Sequence, residues 1–462
     1  MSAPIDLREY QKKAITRWEQ NGYIGLFEMA TGTGKTITAL SAAKKLLESD
    51  GSLCLLILIP TLDLASQWEN ETEKFLFKNI IVANSKNKNW YKEVVGAINH
   101  KPSTYNYCII ATYATFLTSR FQSIIQKLPE TTMLIADEAH NFGTKKHSVK
   151  YPNHIQRRLA LSATPDRHFD DVGTKDILKY FHAEETPTFK FDMAEAIKSG
   201  FLCEYYYYPV IVSLTENELK EYKDISKKLL QYFNSKTGRF KEDSIVKMLL
   251  LKRKRIVHNA TKKFSAFRKI LTDIASKTHK VQYLLVYVPE GNDKKIEKED
   301  QNLINAYSEI IAKEFKLTQH QFIGLTKNRK KILDEFSKGK IAVLTAMKCL
   351  DEGIDIKRAE TAIFCSSTGN PRQFIQRRGR ILRTHPDKKF AVIYDLVVVP
   401  MLTNQYFEDS LQMERNILQG ELRRVHEFAE LSLNHYQALQ TLEETAMKFD
   451  VDIFQKNYFN IL

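Results

Sequence analysis

The segment Met29-Ala-Thr-Gly-Thr-Gly-Lys-Thr36 has the residue types of a phosphate cradle. Glycines at Gly32 and Gly34, interleaved with Thr31 and Thr33, allow backbone N–H groups to approach phosphate oxygens. Lys35 supplies a cation for the terminal phosphates of a nucleotide, and the Thr36 hydroxyl is a ligand for Mg2+. General phosphate-binding loops carry Gly where this chain has Met29, so the match is to a subtype ending Gly-x-Gly-Lys-Thr. The plain structural alternative is a Gly-rich strand-to-helix turn. Further along, Leu134-Ile-Ala-Asp-Glu-Ala-His140 is an apolar run that ends in two acids. Asp137 is suited to hold Mg2+, and Glu138 to orient or deprotonate an attacking water. A nucleotide hydrolase needs both functions beside its cradle. His140 joins the same site because it follows Asp-Glu-Ala; a histidine standing alone would be read as packing.

A third group is Gln376-Arg-Arg-Gly-Arg-Ile-Leu-Arg383. An Arg that reaches the γ-phosphate from a second domain senses ATP and stabilises charge in the transition state. Gln376, Arg380 and Arg383 are the candidates for that role. Arg378 is equally well explained as part of a basic helix that binds nucleic acid directly.

These residues need two scaffolds. From Gly22 to Ala163 apolar runs alternate with amphipathic stretches: 23–27, 53–59, 107–111, 133–136 and 158–161. A second series covers 283–288, 322–325, 342–345, 361–365 and 391–396. Each is the pattern of a parallel sheet covered by helices. Between them, 215–277 is rich in Lys, Glu and Leu at helical spacing, with a break near Asn234 and Gly238. Beyond Pro400 the chain again reads as helix, a tail or lid. The run Tyr205–Tyr208 reads as alternating sides of a strand at the domain junction, with base stacking as the rival reading.

Lys and Arg exceed Asp and Glu by 69 to 55, a net +14 that favours a polyanionic partner. The clusters Lys252–Arg255 and Lys327–Lys331 are candidate phosphate grips or solvated helix faces. The start of the chain lacks a signal-peptide pattern, and the apolar run Leu53–Ile59 is far shorter than the roughly 18 residues of a membrane helix. A cytoplasmic protein without membrane contact is therefore expected. Cys54, Cys108, Cys203, Cys349 and Cys365 lack metal-ligand spacing and read as core residues.

The order of these motifs resembles the superfamily 2 helicases of the Asp-Glu-Ala-His type, over Leu7 to Leu396. Within it the chain looks most similar to DNA translocases of repair, recombination and restriction. The resemblance implies an α/β fold of two RecA-like domains; the change of pattern along the chain sets them at 1–208 and 209–400, with a helical segment at about 215–277 and a helical extension at 401–462. The resemblance also implies ATP and Mg2+ in a cleft between the domains, and a nucleic-acid track, DNA before RNA. Leu7-Arg-Glu-Tyr-Gln11 looks like the adenine-recognition element, which would bring Arg8 and Gln11 to the base. Pro60–Trp68 and Ile110–Tyr113 look like segments that touch the nucleic-acid backbone, through Thr61 and Thr112. Ser162-Ala163-Thr164 matches the tripeptide that couples hydrolysis to strand movement. Thr345 and Asp351–Asp355, with Gly353 and Asp355 toward the nucleotide, match the corresponding element of the second half. No nuclease constellation is evident, so any cleavage is expected from an effector subunit in another chain. The alternatives are a duplex translocase that does not separate strands, a remodeller of bound proteins, and a nucleotide-switched scaffold.

Overall fold

The computed structural model describes all residues except 1–5, 76, 78, 101–105, 167–169, 235–238, 241–242, 279, 290–296, 325, 348–355, 366–370, 400–417, 419–420, 449–452 and 454–462. It divides into two compact units, Met1–Leu202 and Cys203–Leu462.

The first unit is built on strands β1 (Ile24–Met29), β2 (Cys54–Ile59), β3 (Asn79–Ala83), β4 (Tyr107–Thr112), β5 (Met133–Asp137), β6 (Arg157–Ser162) and β7 (Phe189–Phe191). They form one sheet in the order β3-β4-β2-β5-β6-β1-β7. Every pairing is parallel. Side chains of β2, β4 and β5 are buried on both faces, which is why these strands read as unbroken apolar runs rather than alternations. Helix α1 (Glu9–Gln20) turns Tyr10, Ala14, Ile15 and Trp18 inward at helical spacing. The Trp18 indole donates to the Arg158 carbonyl at 3.0 Å, tying α1 to β6. Helix α2 (Lys35–Asp50) follows β1 directly and stops at Gly51, whose φ of 76° suits a left-handed C-cap. Helix α3 (Leu62–Lys74) follows β2.

The second unit holds β8 (Glu204–Ser213), the small ladder β9 (Phe233–Asn234) and β10 (Arg239–Phe240), then β11 (Leu284–Tyr287), β12 (Gln319–Phe322), β13 (Val343–Ala346), β14 (Thr361–Phe364) and β15 (Phe390–Val399). Its main sheet runs β12-β13-β11-β14-β15-β8, again parallel throughout. Within the expected insertion, Glu216–Leu230 and Ser244–His258 share a small core of Ile225, Leu229, Val246 and Leu249. The β9–β10 ladder occupies the break between them. The third helix, Lys262–Thr278, instead sends Phe267, Ile270 and Leu271 into the core of the α/β domain.

One expectation is corrected here. The boundary expected at 208/209 falls at 202/203, because all of Glu204–Ser213 pairs with β15 in the second sheet. Tyr205 and Tyr207 are buried while Tyr206 and Tyr208 are partly exposed, the alternation of a strand. Beyond 400 the described residues 421–430 and His435–Lys448 are helical and belong to the second unit. Arg424 donates to both oxygens of Asp395 on β15 (3.1 and 3.2 Å), and Tyr207 donates to the same carboxylate at 2.9 Å. Burial holds the Asp395 carboxyl above its ordinary range in spite of Arg424. The Asn434 amide accepts from the Tyr207 N–H and donates to the Tyr207 carbonyl, both at 2.9 Å, along the free edge of β8.

Candidate nucleotide site

In a parallel sheet the loops that leave the carboxyl ends of the strands carry the ligand site. Four of the sequence segments lie at that edge of the first sheet. The phosphate loop leaves β1, the Asp-Glu pair ends β5, Ser162 ends β6 between them, and Thr61 follows β2. Register places Glu28 of β1 beside Ser162, and Asp137 beside Leu161, so β6 alone separates cradle from carboxylate.

The loop is held open from inside. Gly32 and Gly34 have φ of 89° and 87°, values that L side chains avoid. A Cβ on Gly34 would also stand 2.8 Å from the Gln11 amide nitrogen. Thr33 is fully buried and its hydroxyl donates to the Ala30 carbonyl at 2.7 Å. The Lys35 ammonium donates to the Met29 carbonyl at 3.0 Å, folding back over the cradle. Thr36, in the first turn of α2, is partly exposed, while the Thr31 hydroxyl oxygen is buried without a hydrogen-bond partner. Gln11 is buried; its oxygen accepts from the Arg8 N–H (3.0 Å) and its amide donates weakly to the Gly34 carbonyl (3.4 Å). The Arg8 guanidinium lies 4.1 Å over the Phe201 ring.

Asp137 is 7% exposed. One carboxylate oxygen accepts from the Trp68 indole at 2.8 Å and the other from the Glu138 N–H at 2.9 Å. Burial, and then repulsion from Glu138, push its carboxyl up to about 6, against the opposing pull of Trp68 and Lys35. A divalent cation relieves this kind of strain, so the residues present fit the Mg2+ role expected of Asp137 and Thr36. Glu138 sits at φ 46°, where the chain turns sharply out of β5. His140 is buried, with Nδ1 3.5 Å from a Glu138 oxygen and Nε2 3.0 Å from the Asn141 amide.

The remaining candidates are placed as follows. The Thr164 N–H donates to the buried Ser162 hydroxyl at 3.1 Å, with Ala163 between them. The Thr112 hydroxyl caps the short helix Tyr113–Phe116 by accepting from the Thr115 N–H, and the Thr61 hydroxyl is buried without a partner. Thr345 is fully buried on β13. Gly353 and Asp355 lie outside the described residues. In the second unit Gln376 and Arg380 are buried on the helix Pro371–Ile381, and Arg383 follows it. Arg378 is used within its own unit, donating to the Glu427 carbonyl (2.6 Å) and carboxylate (3.3 Å) and lying 4.9 Å over Phe428. Arg253, from the first candidate grip, is buried with its guanidinium 4.5 Å over Tyr222, whereas Lys252 and Lys254 are exposed.

Three functional candidates were missed, and each is the aromatic of a segment already quoted. The Tyr10 hydroxyl donates to the Thr33 carbonyl inside the phosphate loop, with its ring stacked 4.0 Å from Phe191. Trp68 reaches the Asp137 carboxylate and Tyr113 donates to the Asp137 carbonyl at 2.7 Å. The available signal was their type: buried Tyr and Trp carry a polar tip that must find an acceptor.

Residues 4–167 match the family described as Type III restriction enzyme, res subunit, and residues 262–385 match the helicase conserved C-terminal domain. The chain is 27% identical over 391 residues to the DNA 3'-5' translocase XPB2 of Sulfurisphaera tokodaii, covering 84% of this chain and 81% of that protein. Two solved structures share the fold. The Hef helicase domain of Pyrococcus furiosus gives a TM-score of 0.51 at 16% identity, over 86% of this chain and 96% of that one. The ATP-dependent type ISP restriction-modification enzyme LlaBIII bound to DNA gives 0.60 at 16% identity, over 99% of this chain but 33% of that enzyme. These matches reach the superfamily; assignment to the Asp-Glu-Ala-His subtype rests on residues 137–140 alone. The two family matches fall on the two parallel sheets in the order a superfamily 2 motor requires, and this chain belongs to the superfamily 2 ATP-dependent helicases and translocases.

Proposed function

We propose that the track is DNA and that the chain is a Mg2+-dependent ATPase that moves along the phosphate backbone. The observation that carries this reading is the convergence of Lys35 and the buried, strained Asp137 on one edge of a parallel sheet. Lys35 exchanges the Met29 carbonyl for a phosphate oxygen. Thr36 and Asp137 would hold the Mg2+, which would supply positive charge to the phosphates. Glu138, with His140 beside it, orients and deprotonates the attacking water, and Gln11 with Arg8 receives the base. Gln376, Arg380 and Arg383 carry the arginine-finger role that their motif implies. The excess of Lys and Arg makes backbone binding insensitive to sequence and steeply dependent on salt.

DNA is favoured over RNA by the named activity of the translocase relative and by the restriction-type family match. The same relative favours 3'-5' movement, and movement without strand separation is the second reading. Any cleavage belongs to an effector subunit, and a cytoplasmic setting is proposed. No helix among the described residues is long and apolar enough to cross a membrane.

The test is steady-state ATP hydrolysis without nucleic acid and with single-stranded DNA, duplex DNA or single-stranded RNA, with Lys35→Ala as the blank. Stimulation by DNA supports the reading, whereas stimulation by RNA alone, or by no polymer, refutes it. Strand-displacement and triplex-displacement assays run side by side then separate unwinding from translocation.

A further inference from the structure

Two segments assigned to the nucleic-acid backbone, Pro60–Trp68 and Ile110–Tyr113, end in an aromatic residue that reaches the same acidic residue. Trp68 lies on α3, is 1% exposed, and donates its only N–H to Asp137 Oδ2 at 2.8 Å across 69 positions of sequence. Tyr113 is the first residue of the helix that Thr112 caps, and its hydroxyl donates to the Asp137 carbonyl at 2.7 Å. The second Asp137 oxygen is taken by the Glu138 N–H, so side chain and backbone of this residue are both oriented from outside its own strand. Tyr113 is itself anchored: its carbonyl lies 3.2 Å from His147 Nε2, and its ring stacks 5.4 Å from Phe142, in the turn that follows Glu138. The indole is a donor only and cannot exchange roles. Both bonds are buried, so water cannot replace them when a segment shifts.

We infer that Trp68 and Tyr113 are positioning residues that transmit occupancy of the two nucleic-acid segments to the metal-binding carboxylate of Asp137. The inference rests on the DNA-motor reading above and adds to it a physical route, distinct from the Ser162–Thr164 segment. A displacement of α3 or of the Thr112 turn by a bound backbone moves a donor on Asp137, and thereby changes how the carboxylate presents itself to Mg2+. Trp68 and Tyr113 are buried and act through Asp137.

The experiment uses the full chain with Trp68→Phe and Tyr113→Phe. Each keeps a ring in the core and deletes one donor. Three quantities are read: the ratio of DNA-stimulated to basal ATPase at saturating DNA, the Mg2+ concentration that gives half-maximal rate, and the DNA dissociation constant by fluorescence anisotropy. Loss of a hydrogen bond to a charged group predicts that Trp68→Phe lowers the ratio about tenfold and raises the Mg2+ requirement, while the DNA dissociation constant stays within about twofold. Tyr113→Phe moves the ratio the same way by about threefold, the smaller effect of a neutral acceptor. It serves as the independent reading if Trp68→Phe does not fold. Ratios and Mg2+ dependence equal to wild type overturn the inference and leave the motor reading intact. DNA affinity falling while the ratio holds overturns it as well, because the two residues then only shape the DNA surface. A wild-type protein that no polymer stimulates overturns the motor reading, and this inference with it.

Discussion

Replacing Arg424 by Met removes one partner of an ion pair that is 2% and 1% exposed. Among the described residues the remaining Asp395 carboxylate keeps the Tyr207 hydroxyl as its side-chain hydrogen-bond donor, and Glu421 loses its 2.9 Å contact with Arg424. A buried charge stripped of its partner costs about 3–5 kcal/mol. With a urea slope of about 2–3 kcal/mol/M, the midpoint of the second unit falls by at least about 1 M. The sequence provides a way to see this unit alone. All three tryptophans, Trp18, Trp68 and Trp90, lie in the first unit, so indole fluorescence follows that unit while far-ultraviolet circular dichroism follows both. Arg424→Met should shift the dichroism transition and leave the fluorescence transition in place. Because burial outweighs the pair's attraction at Asp395, the double replacement Asp395→Leu with Arg424→Met should regain most of the loss. An unchanged dichroism midpoint in the single variant, or a double variant as weak as the single, would refute the assignment of this pair as a clamp with a net desolvation cost.

Three further outcomes are expected. Glu138→Gln should retain ATP binding, measured with a fluorescent nucleotide, and lose hydrolysis by at least about a hundredfold; wild-type turnover would remove Glu138 as the water-activating group. Arg380→Ala should lower the hydrolysis rate more than ATP affinity, and equal losses in both would discard the finger role. Burial lowers the Lys263 ammonium to about 8. The unfolded chain holds that proton up to about pH 10.4, so the cost to folding is complete below pH 8, shrinks as pH rises, and disappears above the unfolded value. Lys263→Met should therefore stabilise the second unit at pH 7 by about 3 kcal/mol, less about 1 kcal/mol for the hydrogen bond to the His258 carbonyl, and by little at pH 10. Urea midpoints at the two pH values check this, and a pH-independent difference would contradict it.

Sequence legibility followed the range of the interactions. Strands buried on both faces announced themselves as apolar runs, so β1, β2, β4, β5 and β6 of the first sheet were readable from composition along the chain. The edge strands were not: β7 is three residues long and β3 alternates between buried and partly buried residues after an exposed Asn79. The phosphate loop was legible because its function is local, carried by two closely spaced glycines and one Lys-Thr pair. The partners of Asp137 were not, since Trp68 and Tyr113 meet it only when three strands lie side by side. The same limit hid the C-terminal region. Nothing in the spacing of 421–434 says that Arg424 will pair with Asp395 or that Asn434 will line the edge of β8.

That last contact bears on how the protein is made. The Tyr205 hydroxyl donates to the Phe428 carbonyl across 223 positions, and Leu433 and Asn434 occupy the backbone edge of Tyr205 and Tyr207. The sheet of the first unit is complete once residue 202 has left the ribosome. The edge of β8, made next, waits for nearly all of the remaining chain before it is covered. During that interval a tyrosine-rich strand presents open N–H and C=O groups, a template for pairing with other nascent chains. Ribosomal stalling or premature termination before residue 434 would therefore release a chain with a folded ATP-binding half and a second half prone to aggregate.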